Sequence, residues 1–239
     1  MLARERIFVA LDTIDVAKAA ALAKGLSGLV GGVKIGKEFF TATGPDGVQQ
    51  VATGGQPVFL DLKFHDIPNT VARAIRASMK LSPFMVNVHA GGGATMMRAA
   101  ADAATEASKA EDCSRPLVLG VTVLTSLAEE DLQAVGVTES TLEQVTRLAL
   151  LAQQSGLDGV VCSAREVESL RKACGPDFKL VVPGIRPAWA STDDQKRIMT
   201  PSEAVSAGAD YLVIGRPITG AEDPADAARL IIEEIEAGE

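Results

Sequence analysis

Eight short apolar runs recur along the chain: IFVALD (7–12), GVKIGK (32–37), VFLDLKF (58–64), FMVNVHA (84–90), LVLGVTVLT (117–125), GVVCSA (159–164), LVVPGIR (180–186) and YLVIGRP (211–217). Their apolar character is nearly continuous rather than alternating, as in parallel strands covered on both faces. Between them lie Ala- and Leu-rich stretches with helical spacing at 16–26, 70–81, 94–109, 141–156, 165–175 and 201–209, and a tail from Pro224. A Gly closes several of these stretches. Eight strands alternating with helices predict an α/β fold of the (β/α)8 TIM-barrel type. No Pro/Ser/Gly-rich linker interrupts the pattern, so residues 1–239 are expected to form a single domain.

The composition, 47% hydrophobic and 23% charged, is that of an ordinary globular chain and excludes disordered and low-complexity classes. No apolar stretch approaches the roughly 20 residues that span a bilayer, and MLARERIFVALD has no signal-peptide pattern. A cytoplasmic enzyme away from membranes is the expectation. The sum of 23 basic and 31 acidic residues, −8, argues against a nucleic-acid partner but leaves room for a small anion. Cys113, Cys162 and Cys174 form no CxxC pair, consistent with a reduced compartment. Two histidines, His65 and His89, are too few for a His-rich zinc site.

In a (β/α)8 barrel the reactive surface lies at the C-terminal ends of the strands. The polar groups that end the runs are Asp12, Lys34, Asp61 with Lys63, His89, Thr125, Ser163, Arg186 and Arg216. The densest group is VFLDLKFHDIPNT (58–70). Asp61 and Lys63 are two apart, so a regular strand points both toward the same face. Pro68 and Asn69 break the strand, which leaves Asp66 on the loop and Thr70 in the first helical turn. Isolated buried charges cost several kcal/mol, so Asp61, Lys63, Asp66 and Lys34 are expected to neutralise one another without a metal. One use of such a set is a structural salt-bridge network closing the barrel mouth. The other is proton chemistry: an ammonium in a desolvated site stabilises a neighbouring carbanion and then protonates it. Asp61 beside it would repel a substrate carboxylate and favour its departure as carbon dioxide.

The runs VVPGIR and VIGRPI occupy the seventh and eighth places, where barrels commonly hold phosphate. Gly215 would allow close backbone approach, and Arg216 offers a fork for phosphate oxygens. The polar segment 187–201 reads as a lid that would carry Gln195 inward, with Trp189 as its anchor. Asp12 and Lys34 either cap helices or pair with each other, or else hold sugar hydroxyls. His65 is expected to pack or face solvent, and His89 to brace the mouth. Glycines 91–93 lack dinucleotide spacing and read as a turn and helix start. Thr125 offers either a ligand contact or, with Ser126, a helix cap. Met96 and Met97 read as core or interface residues.

DLKFHDIPNT (61–70) closely resembles the signature of the orotidine 5′-phosphate decarboxylase family. FVALD, GVKIG, NVHAGGG, VLTS, VPGIRP with DDQKR, and YLVIGRPI follow in family order over the whole chain. The resemblance implies a homodimeric barrel that converts orotidine 5′-phosphate to UMP and carbon dioxide in pyrimidine biosynthesis, with no metal and no organic cofactor. It implies Lys63 as the proton donor to C6, Asp61 beside the departing carboxylate, Lys34 in the same array while touching ribose, and Asp12 on the ribose hydroxyls. Asp66, Ile67 and Thr70 would reach into the partner subunit's site. Thr125 and Ser126 would meet the pyrimidine, and Pro183, in VPGIRP, belongs to the substrate pocket. Gln195 would bridge ring and phosphate, while Arg186, Gly215 and Arg216 would hold the phosphate region. Two other readings compete: a metal-dependent barrel acting on sugar phosphates, and a non-catalytic nucleotide sensor.

Overall fold

The structure, a computed structural model, describes residues 1–189 and 199–238. Its strands are β1 (Ile7–Ala10), β2 (Gly32–Gly36), β3 (Val58–Phe64), β4 (Met85–His89), β5 (Leu117–Val121), β6 (Gly159–Val161), β7 (Lys179–Pro183) and β8 (Tyr211–Ile214). They close into a barrel in chain order, with β8 pairing back to β1, and every pairing is parallel. Around them run helices α1 (Val16–Gly25), α2 (Lys37–Ala52), α3 (Pro68–Ser78), α4 (Gly93–Ala110), α5 (Glu129–Ala134), α6 (Thr141–Gln154), α7 (Val167–Cys174), α8 (Pro201–Ser206), α9 (Arg216–Thr219) and α10 (Pro224–Gly238). The expected (β/α)8 barrel is the observed fold.

The differences are local. Most apolar runs outlast the ladder by a few residues: the fifth leaves the sheet after Val121, and Asp12, Arg186 and Arg216 sit beyond the last paired residue of their strands. The alternating apolar-charged ending is thus a feature of the loop just above the sheet. Three helices were not expected. In α2 the GPDG segment reads as a breaker, and the helix is indeed broken at Gly44, whose φ of 64° accommodates the turn before Pro45. The polar EEDLQA of α5 carries one buried residue, Leu132, too little for a periodic signal. The four-residue α9 is hidden by Pro217, which occupies its first turn.

Successive side chains alternate between two cores. Phe8, Phe59, Met85, Leu119, Val181 and Tyr211 fill the barrel interior, while neighbours such as Val9, Leu60, Val86 and Val182 pack outward under the helices. Phe8 stacks on Phe84 (centroids 5.6 Å apart), and Tyr211 meets Phe8 edge-on. Met96 and Met97 of α4 are buried in the outer layer. On the inner face, above the apolar filling, the side chains become polar.

The helix-to-strand turns entering β6 and β8 repeat one device. In SGLDGVV and AGADYLV a Gly with positive φ (Gly156, 82°; Gly208, 110°) ends the helical segment, and an Asp follows two residues later. The carboxylates of Asp158 and Asp210 then accept the N–H of the preceding strand, from Val118 (2.7 Å) and Leu180 (2.9 Å). Each also holds an arginine, Arg115 and Arg171 respectively. Arg171 in addition donates to the carbonyls of Gly175, Pro176, Phe178 and Gly208. Arg171→Ala is expected to cost about 3 kcal/mol, because it strands these acceptors and half of a largely buried ion pair. That loss lowers the melting temperature by about 10 °C in a chain of this size. Turnover per folded molecule should stay unchanged, since these contacts lie at the barrel end opposite the polar mouth; calorimetry and steady-state kinetics on the variant check both.

Candidate active site

β2 and β3 pair in register, Lys34 with Phe59 and Gly36 with Asp61, so Lys34 and Asp61 rise side by side on the inner face. Both are buried, each 9% exposed. Lys34 Nζ stands 3.5 Å from Asp61 Oδ2 and 3.4 Å from Asp12 Oδ1, while Lys63 Nζ is 2.6 Å from Asp61 Oδ1. Four charges from β2, β3 and the end of β1 thus form a chain of alternating sign, Asp12–Lys34–Asp61–Lys63. Such alternation is what makes burial tolerable at this depth.

The route by which Lys63 reaches Asp61 differs from the expected one. Lys63 has φ 52°, the left-handed region that residues other than glycine rarely adopt, and the pairing of β3 with β4 slips there. Leu60 pairs with Val86, but the next pair is Phe64 with Val88, so three residues of β3 face only Asn87. Regular alternation is therefore not what brings Lys63 to Asp61; a bulge is. Such bulges re-aim side chains beside functional sites.

Asn87 is the residue that sequence reasoning missed. It is fully buried; its Nδ2 donates to Asp61 Oδ1 at 2.7 Å and its Oδ1 accepts the Lys63 backbone N–H at 2.7 Å. The one available signal was a lone amide inside the apolar run FMVNVHA.

Above these groups opens a cavity of about 200 Å³. Lys34, Asp61 and Lys63 line one side; Val121, Val123, Leu124, Val161 and Val213 supply an apolar wall, and Thr125 and Pro183 also border it. Cys162 borders it too, and burial pushes its thiol well above the usual range, which disfavours the thiolate. His89, two residues beyond Asn87, has its pKa lowered by burial first and then by His65, Lys37 and Lys63, against an opposing pull from Asp61. Both causes disfavour a further positive charge beside Lys63. Its ring lies 5.4 Å from that of His65, which is exposed as expected.

The remaining candidates divide. Asp12 does not cap α1; Asp15 does, accepting the Lys18 N–H at 3.0 Å. Thr125 and Ser126 do not cap α5, which starts after Ala128 with Asp131 accepting the Ala128 N–H. Asp66, Ile67 and Thr70 do not join the charged chain: all three are exposed, Asp66 accepts the Ile67 N–H, and Ile67 is 66% exposed. Arg186 is buried just past β7 and bonded to the Ile185 carbonyl and, through its own N–H, to Met199. Arg216 opens α9 at the surface. Gly215 lies over Asp12, where a Cβ would meet Oδ2 at 3.7 Å, ordinary contact. Close approach there is thus not enforced by packing within the chain. Gln195, and with it most of the expected lid, lies outside the described residues; Trp189 is about half exposed. Among the described residues no group of three or more His, Cys, Asp or Glu side chains is gathered to hold a metal, and no helix is long and apolar enough to cross a membrane.

The family model for orotidine 5′-phosphate decarboxylase / HUMPS proteins matches residues 5–231. The chain belongs to this family. Among its relatives, the orotidine 5′-phosphate decarboxylase of Rhodospirillum rubrum is 56% identical over 230 residues, covering 96% of this chain and 93% of the relative. That of Paramagnetospirillum magneticum is 54% identical over 229 residues, covering 96% and 97%. Among solved structures, orotidine 5′-phosphate decarboxylase from Lactobacillus acidophilus superposes with a TM-score of 0.85 at 38% identity, covering 96% of this chain and 98% of the other. The family's description joins two names, so the geometry of the charged chain bears on this member's reaction.

Proposed function

We propose that this chain decarboxylates orotidine 5′-phosphate to UMP and carbon dioxide, without a metal or organic cofactor, with Lys63 as the proton donor to C6. The observation that carries the reading is the buried chain Lys34–Asp61–Lys63 facing an apolar wall across a cavity of ring size. Relatives above 50% identity that bear the decarboxylase name support it.

A cavity of about 200 Å³ is smaller than a whole nucleotide site, so the pyrimidine would fill it and leave sugar and phosphate at the mouth. Asp12 and Lys34 face that mouth and suit ribose hydroxyls. Thr125, Ser126 and Pro183 would border the ring, and Arg186, Gly215, Arg216 and Gln195 would take the phosphate region. Binding energy from those remote groups would press the C6 carboxylate toward Asp61. The C6–carboxylate bond breaks, carbon dioxide leaves, and the electron pair remains on C6. The Lys63 ammonium stabilises that pair and delivers a proton to it.

In this reading the enzyme is a cytoplasmic homodimer that binds neither membrane nor nucleic acid. Asp66, Ile67 and Thr70, exposed around the start of α3 and outside the charged chain of their own subunit, would enter the partner subunit's site.

A metal-dependent sugar-phosphate reaction would need further carboxylates, where Lys34 already supplies the compensating cation. The assay that separates the readings follows loss of orotidine 5′-phosphate absorbance with and without EDTA. Turnover insensitive to the chelator is the expected result. No turnover, or turnover that requires added magnesium, would defeat the proposal.

A further inference from the structure

We propose that Asn87 is a positioning residue for the reaction: its single side chain holds the backbone of Lys63 in its left-handed conformation and fixes the Asp61 carboxylate beneath the substrate site. The inference rests on the decarboxylase reading for its chemistry, and on the β3–β4 geometry for its substance.

Lys63 lies where the parallel ladder fails. Between the pairs Leu60–Val86 and Phe64–Val88, Asp61, Leu62 and Lys63 have one opposite residue instead of three, so the strand gives up regular backbone pairing there. Asn87 replaces part of what is lost. Its carbonyl takes the Lys63 N–H, the bond that β4 backbone would supply in a regular ladder. Its amide donates to Asp61 Oδ1, the same oxygen that receives Lys63 Nζ. The orientation of the amide is dictated by its neighbours, since a carboxylate only accepts and a backbone N–H only donates. Both polar ends of a fully buried side chain are thus committed to the two residues at the centre of the charged chain.

The energetics explain why the device is needed. A non-glycine residue at φ 52° carries roughly 1–2 kcal/mol of backbone strain and persists only where its surroundings impose it. No glycine relieves the strain here, because the ammonium is the group the site requires. Asp61 likewise needs a neutral donor. Lys34 and Lys63 balance its charge but lie to either side, whereas Asn87 approaches from the neighbouring strand and removes the remaining freedom of the carboxylate. A cation in that place would leave the array with excess positive charge, and an apolar residue would leave the Lys63 N–H without an acceptor.

Two variants test the role. Asn87→Ala removes both bonds. Asn87→Asp keeps the volume and the acceptor for Lys63 N–H but replaces the donor toward Asp61 with a like charge. Misplacing a reacting group by about 1 Å costs about a hundredfold, so kcat in N87A should fall by about that factor while KM and the dissociation constant of UMP stay within about threefold. N87D should lose kcat with the same split. If N87A does not fold, N87D decides alone. In crystals of N87A, or of N87D should only that variant fold, Lys63 is expected to leave positive φ or its Nζ to separate from Asp61.

Parental kcat in the folded variants, or losses confined to KM, would overturn the proposal. If the parent chain itself leaves orotidine 5′-phosphate unchanged, the decarboxylase reading fails, and the crystals still judge Asn87: an unaltered Lys63 backbone and an intact Lys63–Asp61 pair in them would refute its positioning role.

Discussion

Lys63→Ala is expected to yield a folded protein that binds UMP and turns over orotidine 5′-phosphate at least about 10⁴-fold more slowly, because one side chain supplies both the proton and the charge opposite the carbanion. Neither role has an understudy. Lys34, the other ammonium in the cavity, lies on the far oxygen of Asp61, held between that carboxylate and Asp12. Burial first, and then nearby positive charges, lower the pKa of His89, which disfavours the cationic form that the carbanion would need. Stability should fall only slightly, by about 1–2 kcal/mol. Asp61 keeps its contacts with Lys34 and Asn87, and the Lys63 side chain is about one quarter exposed, so the usual cost of orphaning a buried charge is discounted. Isothermal titration with UMP and a denaturation curve separate lost chemistry from lost folding. Near-native turnover in the variant would remove Lys63 from the role of donor.

Mixing inactive subunits has the second-largest expected effect. Asp66→Ala, by the proposed exchange of the β3–α3 loop between subunits, should inactivate the site of its partner rather than its own. In a heterodimer of a K63A chain with a D66A chain, one site then contains both defects and the other contains neither. Random reassortment puts half the dimers in that mixed form, so about a quarter of all sites should regain native turnover. The physical ground is the exposure of Asp66, Ile67 and Thr70: a carboxylate, an isoleucine and a threonine displayed together, with the carboxylate contacting none of the cavity groups of its own chain. The measurement is activity after joint refolding, against each variant refolded alone. Failure to exceed the separate activities would mean that Asp66 serves its own chain or no site at all, and the shared-site arrangement would be withdrawn.

Lys63 and Asp66 also mark how far the site is legible in the sequence. The DLKFHD segment identifies Asp61, Lys63 and Asp66 as the densest chemistry, and the structure brings two of them together while leaving the third outside the cavity. Asp61 and Lys63 do meet, as residues two apart on a regular strand would, but they meet through a bulge that their spacing does not record. Asn87 escaped notice because one amide in an apolar strand has no pattern of its own; its meaning comes from what β3 does opposite it. Arg171 and Asp210 are a similar case, 39 residues apart yet joined at 2.6 Å. Helix α2 was hidden by Gly44 and Pro45, which break a helix locally without ending it.

By itself the chain determined the alternation of buried strands and amphipathic helices, hence the barrel, and the polar residues that crown those strands. Both follow from local periodicity: each run must be covered on two faces, and side chains past the covered segment are free to be charged. Only the tertiary structure decided which crown residues meet, because contact between Lys34 and Asp61, or between Asn87 and Lys63, depends on the register of separate strands around a closed sheet. A slip of that register at one place turned Lys63 toward its carboxylate, and no spacing within a single strand records such a slip.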